Sequence, residues 1–388
     1  MVAPLTKMWP LYAAGFTTAF GAHGIAANLG SEDTVTSLLV LGGLLALYDG
    51  AEVLLKPLFG TLADRIGARP VLLGGLIAFA ATSALYVAVD SAAYLWMARL
   101  GQGAAASAFS PSASALVARL NPSSHGRAFG SYGFYKSIGY TLGPLLGGAL
   151  MWAGGMRLLF LTLTILAAAV ALWAALAVPS VPPLPKTRQT IVDLARRLLD
   201  RSFLGPTSAL AAATSALSVG VGFLPVSGAA AGMGTLATGA AVSVLAGCAA
   251  LIQPRAGRAL DAGRLTARRG ILTGLALTAT GLAAATIPGI PGVLAAAALI
   301  GVGTGLITPL GFATLAAATP ASRLGQTMGA AELGRELGDA GGPLLVAGVA
   351  TVATLTYGYA ALALVLAIAP LLALTPRNRA PATLHKSD

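Results

Sequence analysis

Runs of apolar residues, broken only by short polar turns, recur along the whole chain. A helix needs about 20 such residues to cross a bilayer. Windows of that kind lie at 9–30, 36–59, 70–89, 93–118, 128–151, 157–178, 204–226, 234–254, 270–287, 292–318, 324–349 and 353–375. The pattern predicts an all-α integral membrane protein of twelve spans. It also isolates the polar residues that interrupt the runs, because each of these needs a partner in hydrocarbon.

Those interruptions fall on helical stripes. Asp49, Glu52 and Lys56 are spaced i, i+3, i+7 on one face of the second window, and Glu332, Arg335, Glu336 and Asp339 form a fully ionisable stripe in the eleventh. Arg99 lies inside the fourth window with Gln102 almost one turn on, Lys136 inside the fifth, and His23 and Asn28 inside the first. Nine charges are therefore intramembrane in this reading, five acidic and four basic. A buried carboxylate whose cationic partner moves can bind and release a proton near neutral pH. The alternative is a set of fixed salt bridges that hold one conformation closed.

Glycine changes the picture next. The stretch Gly130–Gly148 combines helically spaced glycines with Pro144 and Lys136, a costly combination for a helix facing lipid. Its pattern returns: Gly130/Gly329, Gly139/Gly338, Gly143/Gly342 and Pro144/Pro343 are all 199 residues apart, and Lys136 falls opposite Arg335. Pro57, Gly60 and Asp64 recur 197 positions on at Pro254, Gly257 and Asp261, and Gly101 and Gly103 recur at Gly301 and Gly303. The chain is duplicated, and duplicated halves of this kind commonly hold a substrate site between them near the midplane. The predicted organisation is an N-terminal six-helix bundle over 1–178, a linker over 179–203 and a C-terminal six-helix bundle over 204–388. The linker pairs the proline-rich Pro179–Pro185 with a basic amphipathic helix beginning at Lys186.

Composition agrees, with 56% hydrophobic and 10% charged residues. The net charge of +11 would suggest nucleic acid in a soluble protein, but its distribution argues otherwise. Nineteen of the 24 Lys and Arg sort to one side of the spans, Arg157 alone lies opposite, and four are within spans. The positive-inside rule then places both termini in the cytoplasm and leaves the loop Gly30–Val35, with Glu32 and Asp33, outside. The first apolar run reads as a span and not as a removable signal peptide. The single cysteine, Cys248, excludes an internal disulfide and a multi-cysteine metal site. There is no phosphate-binding loop, paired-histidine zinc motif or nucleophile elbow, so the reading is of no enzyme, with no cofactor, no metal and no catalytic residues.

Three segments now carry a resemblance. Gly60-Thr-Leu-Ala-Asp64-Arg65-Ile-Gly67-Ala-Arg69 resembles motif A of the major facilitator superfamily, Arg99-Leu-Gly-Gln102-Gly103 is similar to its motif B, and Gly130, Gly139, Gly143-Pro144, Gly147-Gly148 match the antiporter motif C. The resemblance covers essentially the whole chain and points to the twelve-helix drug:proton antiporter branch. Two departures stand out. Pro70 directly follows the last basic position of motif A, and the second-half copy, Gly257–Arg269, is shifted by a residue, which counts against a latch there.

The resemblance implies a major facilitator fold, with the second helix beside the eleventh and the fifth beside the eighth. It implies alternating access in the cytoplasmic (inner) membrane of a bacterium, by a monomer whose partners are a small-molecule substrate, protons and lipid, with no nucleic acid. Gly60, Asp64, Arg65, Gly67 and Arg69 would form a conformational latch, with Asp64 capping the following helix and meeting Arg65 or Arg69; the plainer reading is a basic turn that sets topology. Asp49, Glu52, Glu332, Glu336, Asp339 and Arg99 are the proton-coupling candidates, with Lys56, Lys136 and Arg335 as charge partners. Arg99 either transfers protons or bonds carbonyls freed by neighbouring glycines. Gly139, Gly143, Pro144, Gly147 and Gly148 would pack and hinge. The cavity would be lined by the first, fourth, seventh and tenth helices, offering Phe16, Phe20, Phe109, Phe223 and Phe312 with Gln102, Ser107, Ser218, Thr304 and Thr308. His23 either joins that cavity or packs. The function expected is proton-coupled export of small amphipathic compounds; the alternative is transport of a specific charged solute, a metal cation or an organic anion.

Overall fold

The computed structural model describes residues 5–29, 38–89, 91–181 and 201–373. The outer loop with Glu32 and Asp33, most of the proline-rich break and most of the amphipathic linker helix lie outside the described residues. Within them every regular element is helical: α1 (Leu5–Ala26), α2 (Leu38–Ile66), α3 (Ala68–Ala88), α4 (Ala92–Leu120), then a helical stretch His125–Ala177. That stretch is broken at Gly154 and Gly155, where the backbone leaves helical geometry, into α5 (125–153) and α6 (156–177). There follow α7 (Arg201–Ala230), α8 (Thr235–Asp261), α9 (Ala267–Ala284), α10 (Ile290–Ala317), α11 (Leu324–Val352) and α12 (Leu355–Ala373). Five stretches are long and apolar enough to cross a membrane by length and composition: Ala68–Ala88, His125–Ala177, Ser202–Ala230, Ala237–Asp261 and Ile290–Ala317.

Helices α2 and α8 overrun their apolar windows at the ends where the chain turns. The sequence expectation of a turn from Gly60 to Pro70 is corrected: α2 continues to Ile66, and Gly67 alone turns the chain, with φ of 105°. A left-handed residue here allows α3 to begin at once, and glycine adopts it without a Cβ clash. Gly263, φ 67°, turns the chain within the short connection from α8 to α9. The polar last turns of both helices project past the apolar band at the end of the bundle where the basic connections gather, called here the basic end.

Buried side chains form two clusters. One is built largely from α1 to α6, around Phe79, Tyr86, Phe109 and Phe160, and the other from α7 to α12, around Leu245, Ile300 and Leu310. Between them α2 packs on α11 and α5 on α8. Both contacts are backbone to backbone. A Cβ on Gly60 would meet Gly325 O, and one on Gly329 would meet Lys56 O. Likewise Cβ atoms on Gly130 and Gly257 would meet Gln253 O and Gly126 O.

The remaining glycines of α5 do something else. Gly139, Gly143 and Gly147 lie against Phe16, Ala19, His23 and Gly24 of α1, and Gly148 approaches Asn28. Their counterparts Gly338 and Gly342 lie against Ala211 and Ser215 of α7. The basic-end half of α5 therefore meets α8 and that of α11 meets α2, while the other half of each packs on its own cluster. Only the basic-end part of the glycine-rich stretch therefore lies between the halves. Pro144, between these glycines, faces the central cavity.

The Gly126–Gly257 approach leaves no room for a methyl group, because the obstructing atoms are backbone. Gly257→Ala should weaken closure of the basic end by about 1–3 kcal/mol. Maleimide labelling of a cysteine placed at Ser137 in a Cys248→Ala background should then rise from the basic-end side, and unchanged labelling would contradict this packing.

Candidate functional site

The charged stripes meet between the helices that carry them. On α2, four-residue spacing aligns Tyr48, Glu52 and Lys56, and Lys56 Nζ donates to Glu52 Oε2 at 2.9 Å and to Glu336 Oε1 of α11 at 2.5 Å. Tyr48 Oη donates to the other oxygen of Glu52 at 3.4 Å. Two carboxylates thus share one ammonium, across the junction of α2 and α11. Glu332, one turn away on α11, has the opposite composition: its Oε2 accepts from Lys136 Nζ of α5 at 3.4 Å and from Arg335 Nη1 at 3.3 Å, while Oε1 accepts from Ser114 Oγ of α4 at 3.4 Å. Glu332 is 0% exposed and Lys56 1%. These charges are separated from bulk water and compensated mainly by each other.

Arg99 stands apart. Its guanidinium lies over the Tyr48 ring, 4.3 Å from the centroid, where a cation–π contact supplies part of what an ion pair would. Nε and Nη1 are buried without a hydrogen-bond partner among the described residues. It reaches Glu52 only through Tyr48.

The two stripes open onto a cavity of about 1230 Å³. Its lining includes Asp49, Glu52, Lys56, Lys136, Glu332, Arg335, Glu336 and Asp339, so eight of the nine predicted intramembrane charges face one space. His23, Phe223, Phe312, Ser218, Thr304 and Thr308 also line it. The predicted aromatic wall is corrected in part. Phe109 is fully buried edge-on against Phe79, and Phe16 and Phe20 stack on each other at 5.7 Å, so none of the three lines the cavity. Gln102 donates to Ser83 Oγ at 2.8 Å inside the α3–α4 contact, and Ser107 bonds its own helix. Of α4 only Ser110 reaches the lining, while α2, α5 and α8 contribute Tyr48, Phe129, Tyr132, Tyr140 and Gln253. His23 packs its ring 4.4 Å from that of Tyr140.

The basic end is closed by carboxylates at helix N-termini. Asp64 accepts from Gly325 N at 2.8 Å and from Gln326 N at 2.7 Å, and from Arg119 Nη2 at 3.3 Å. It caps α11, therefore, and not the following helix, whose N-cap is Gly67 with no side-chain bond. The expected meeting with Arg65 or Arg69 gives way to Arg119, which also donates to Ala321 O at 2.8 Å. Arg65 is exposed, and Arg69 donates to Ala175 O of α6 at 2.5 Å.

The second-half copy makes the matching contact despite its shifted register. Asp261 accepts from Gly126 N at 2.9 Å and Arg127 N at 2.7 Å, capping α5. The exposed N–H groups and the helix dipole at each N-terminus favour a carboxylate there. Spacing from Asp64 would have found Asp261. Nothing local in the sequence marks Arg119, Tyr132 or Gln253.

These geometries separate the carboxylates energetically. Neutralising Glu332 strands two buried cations, whereas neutralising Glu336 leaves Lys56 with Glu52. Glu332→Gln should destabilise the detergent-purified protein by about 3–5 kcal/mol, and Glu336→Gln by clearly less, read by thermal unfolding; equal losses would contradict the pairing. Asp261→Ala and Asp64→Ala should each cost about 1 kcal/mol in the same assay, with Asp261→Ala no milder than its counterpart.

Comparison with known proteins places this arrangement. The sequence profile of the Major Facilitator Superfamily matches residues 10–264 and 209–387. A methylenomycin A resistance protein of Bacillus subtilis is 32% identical over 140 residues, 34% of this chain and 30% of that protein. A multidrug resistance protein B homolog of Mycobacterium tuberculosis is 34% identical over 136 residues, 35% of this chain and 24% of that protein. The matched stretches thus span less than a third of those relatives. The crystal structure of the human organic anion transporter MFSD10 superposes with a TM-score of 0.82 at 20% identity, covering 97% of this chain and all of that one, a likeness of fold. The chain belongs to the Major Facilitator Superfamily, a family of multi-pass membrane transporters that are not enzymes.

Proposed function

We propose that this protein is a proton-coupled exporter of small amphipathic compounds, working by alternating access in a bacterial cytoplasmic membrane. The α1–α12 segments serve as twelve spans, grouped as bundles over 1–178 and 204–388 with the linker 179–203 between them, and both termini are cytoplasmic. The basic end is then the cytoplasmic end, and the closed contacts there correspond to an outward-facing state. The observation that carries the reading is the cavity bordered by ion pairs that join the two halves, Lys56 with Glu336 and Lys136 with Glu332. The resistance functions named for two relatives support export.

Coupling needs a carboxylate whose compensation changes as the halves move. Among the predicted candidates the Glu52–Lys56–Glu336 group suits this role best. It holds one acid more than its single cation, and its cation and one acid belong to different halves. When α2 and α11 separate, Lys56 stays with Glu52 on its own helix, and Glu336 loses its partner and takes the proton. Glu332 is suited to the opposite task, since its two cations would both be left uncompensated if it were protonated. Asp49 and Asp339 line the same cavity without an ion pair. Arg99, through Tyr48, positions Glu52.

The test is transport by proteoliposomes under an imposed pH gradient, with a fluorescent amphiphile as cargo. Glu336→Gln should abolish gradient-driven accumulation while leaving substrate counterflow, with Glu52→Gln reduced more mildly. Gradient-driven accumulation intact in Glu336→Gln and in the double variant would overturn this assignment. If the wild-type protein shows no gradient-driven movement of any amphiphile, the exporter reading itself fails.

A further inference from the structure

One part of the cavity lining has more hydrogen-bond donors than its own acceptors can use. Lys136 and Arg335 converge on a single carboxylate, Glu332. Arg335 Nε and the Ser110 hydroxyl are buried and have no hydrogen-bond partner among the described residues, and the buried Tyr132 hydroxyl has Ser114 within reach. Tyr132 is 4% exposed and Ser110 1%, and both line the cavity with Lys136 and Arg335. Buried polar groups are ordinarily satisfied, so unpaired donors on residues that border a cavity point to an acceptor that arrives from outside. The surplus is of one kind, an ammonium, a guanidinium and two hydroxyls against one acid.

We propose that this patch is an anion subsite, which takes the acidic group of an amphipathic substrate, a carboxylate or a sulfonate, between Lys136, Arg335, Tyr132 and Ser110. Phe312, its ring centroid 5.8 Å from the Arg335 guanidinium carbon, and Phe129 stacked on it border the cavity as apolar lining for the body of the molecule. In the empty protein Glu332 acts as the tethered counter-ion, holding the two cations in the geometry that a second acid would recognise. Guanidinium and ammonium groups bound to an anion in a dry site make charge-assisted bonds, stronger than neutral ones. Asp49 and Asp339 lie seven positions beyond Lys56 and Glu332, about 10 Å along their helices, and would attract the opposite class, a lipophilic cation. The proposal rests on the reading of this cavity as the substrate path, and it names the substrate class.

Purified full-length protein in detergent is titrated calorimetrically with naphthalene-2-sulfonate and, separately, with 2-naphthyltrimethylammonium, which has the same body and opposite charge. The expected result is tighter binding of the sulfonate, weakened about tenfold or more by Lys136→Gln or Arg335→Gln and partly recovered in Arg335→Lys. Tighter binding of the ammonium compound, or sulfonate affinity unchanged in both glutamine variants, overturns the proposal. Should those variants fail to elute as folded protein, Tyr132→Phe with Ser110→Ala removes two donors and no charge. Its sulfonate affinity should fall about three- to tenfold, and an unchanged value overturns the subsite. Sulfonate binding that responds to these substitutions in a protein without gradient-driven transport would retain the subsite and remove the exporter reading.

Discussion

A charge held away from water must find its counter-charge, and in this chain Lys56 and Glu332 each take one from the other half. Lys56 cannot be solvated at 1% exposure, and Glu332 at 0% cannot either. Their partners come from α11 and α5 respectively, so the ion pairs that make burial tolerable also tie two separately cored bundles together. Dissociating such a pair without replacement costs several kcal/mol. Any motion of the halves must therefore re-compensate these groups, by solvent, by a proton or by cargo. The charge pattern and the movement become a single problem.

Geometry at the basic end makes that coupling sharp. The glycine contacts Gly60–Gly325 and Gly126–Gly257 bring helix backbones close enough that Asp64 and Asp261 reach the first free N–H groups of α11 and α5. A larger residue at the contacts would hold the helices apart and lengthen both caps together. Close packing and electrostatic closure thus depend on the same few small residues. Because the two caps are pseudo-symmetric, each half contributes one carboxylate and one helix N-terminus, and neither can be released without exposing polar groups of the other.

How far the sequence carries this account depends on the range of the interaction. Stripes on one helix are legible from spacing: Glu52 and Lys56 at i, i+4 do pair, and the repeat at 199 residues does relate Gly338 and Gly342, against α7, to Gly139 and Gly143, against α1. Elements were legible too, because lipid demands long apolar helices; polar ends such as those at Ile66 and Asp261 ran beyond the apolar windows. Rotation of a helix about its axis was not legible. Phe16, Phe20 and Phe109 sit on helices assigned to the cavity, yet all three turn away from it, and α4 is almost wholly enclosed between α2, α3 and α11. An apolar residue in a membrane helix has three destinations, lipid, core and cavity, and hydrophobicity does not separate them. Arg119 illustrates the same limit for charge, since its basic-end position explained it adequately until Asp64 proved to be its partner.

The unequal sharing of charge narrows what the site can do. Around Lys56 there is one acid too many, and around Glu332 one cation too many, and the two groups are close enough to interact. Together they balance, so the empty site is stable without a bound ion. A proton added to the first group leaves the ensemble with a surplus cation, which sits where Lys136 and Arg335 border the cavity. Protonation and the affinity for a negatively charged group are then linked through the field of one cluster, with no mechanical relay between distant sites. A cation arriving at Asp49 or Asp339 would experience the reverse dependence. On the proposed proton-coupled reading, the direction of coupling follows from which of these two charge environments the cargo occupies.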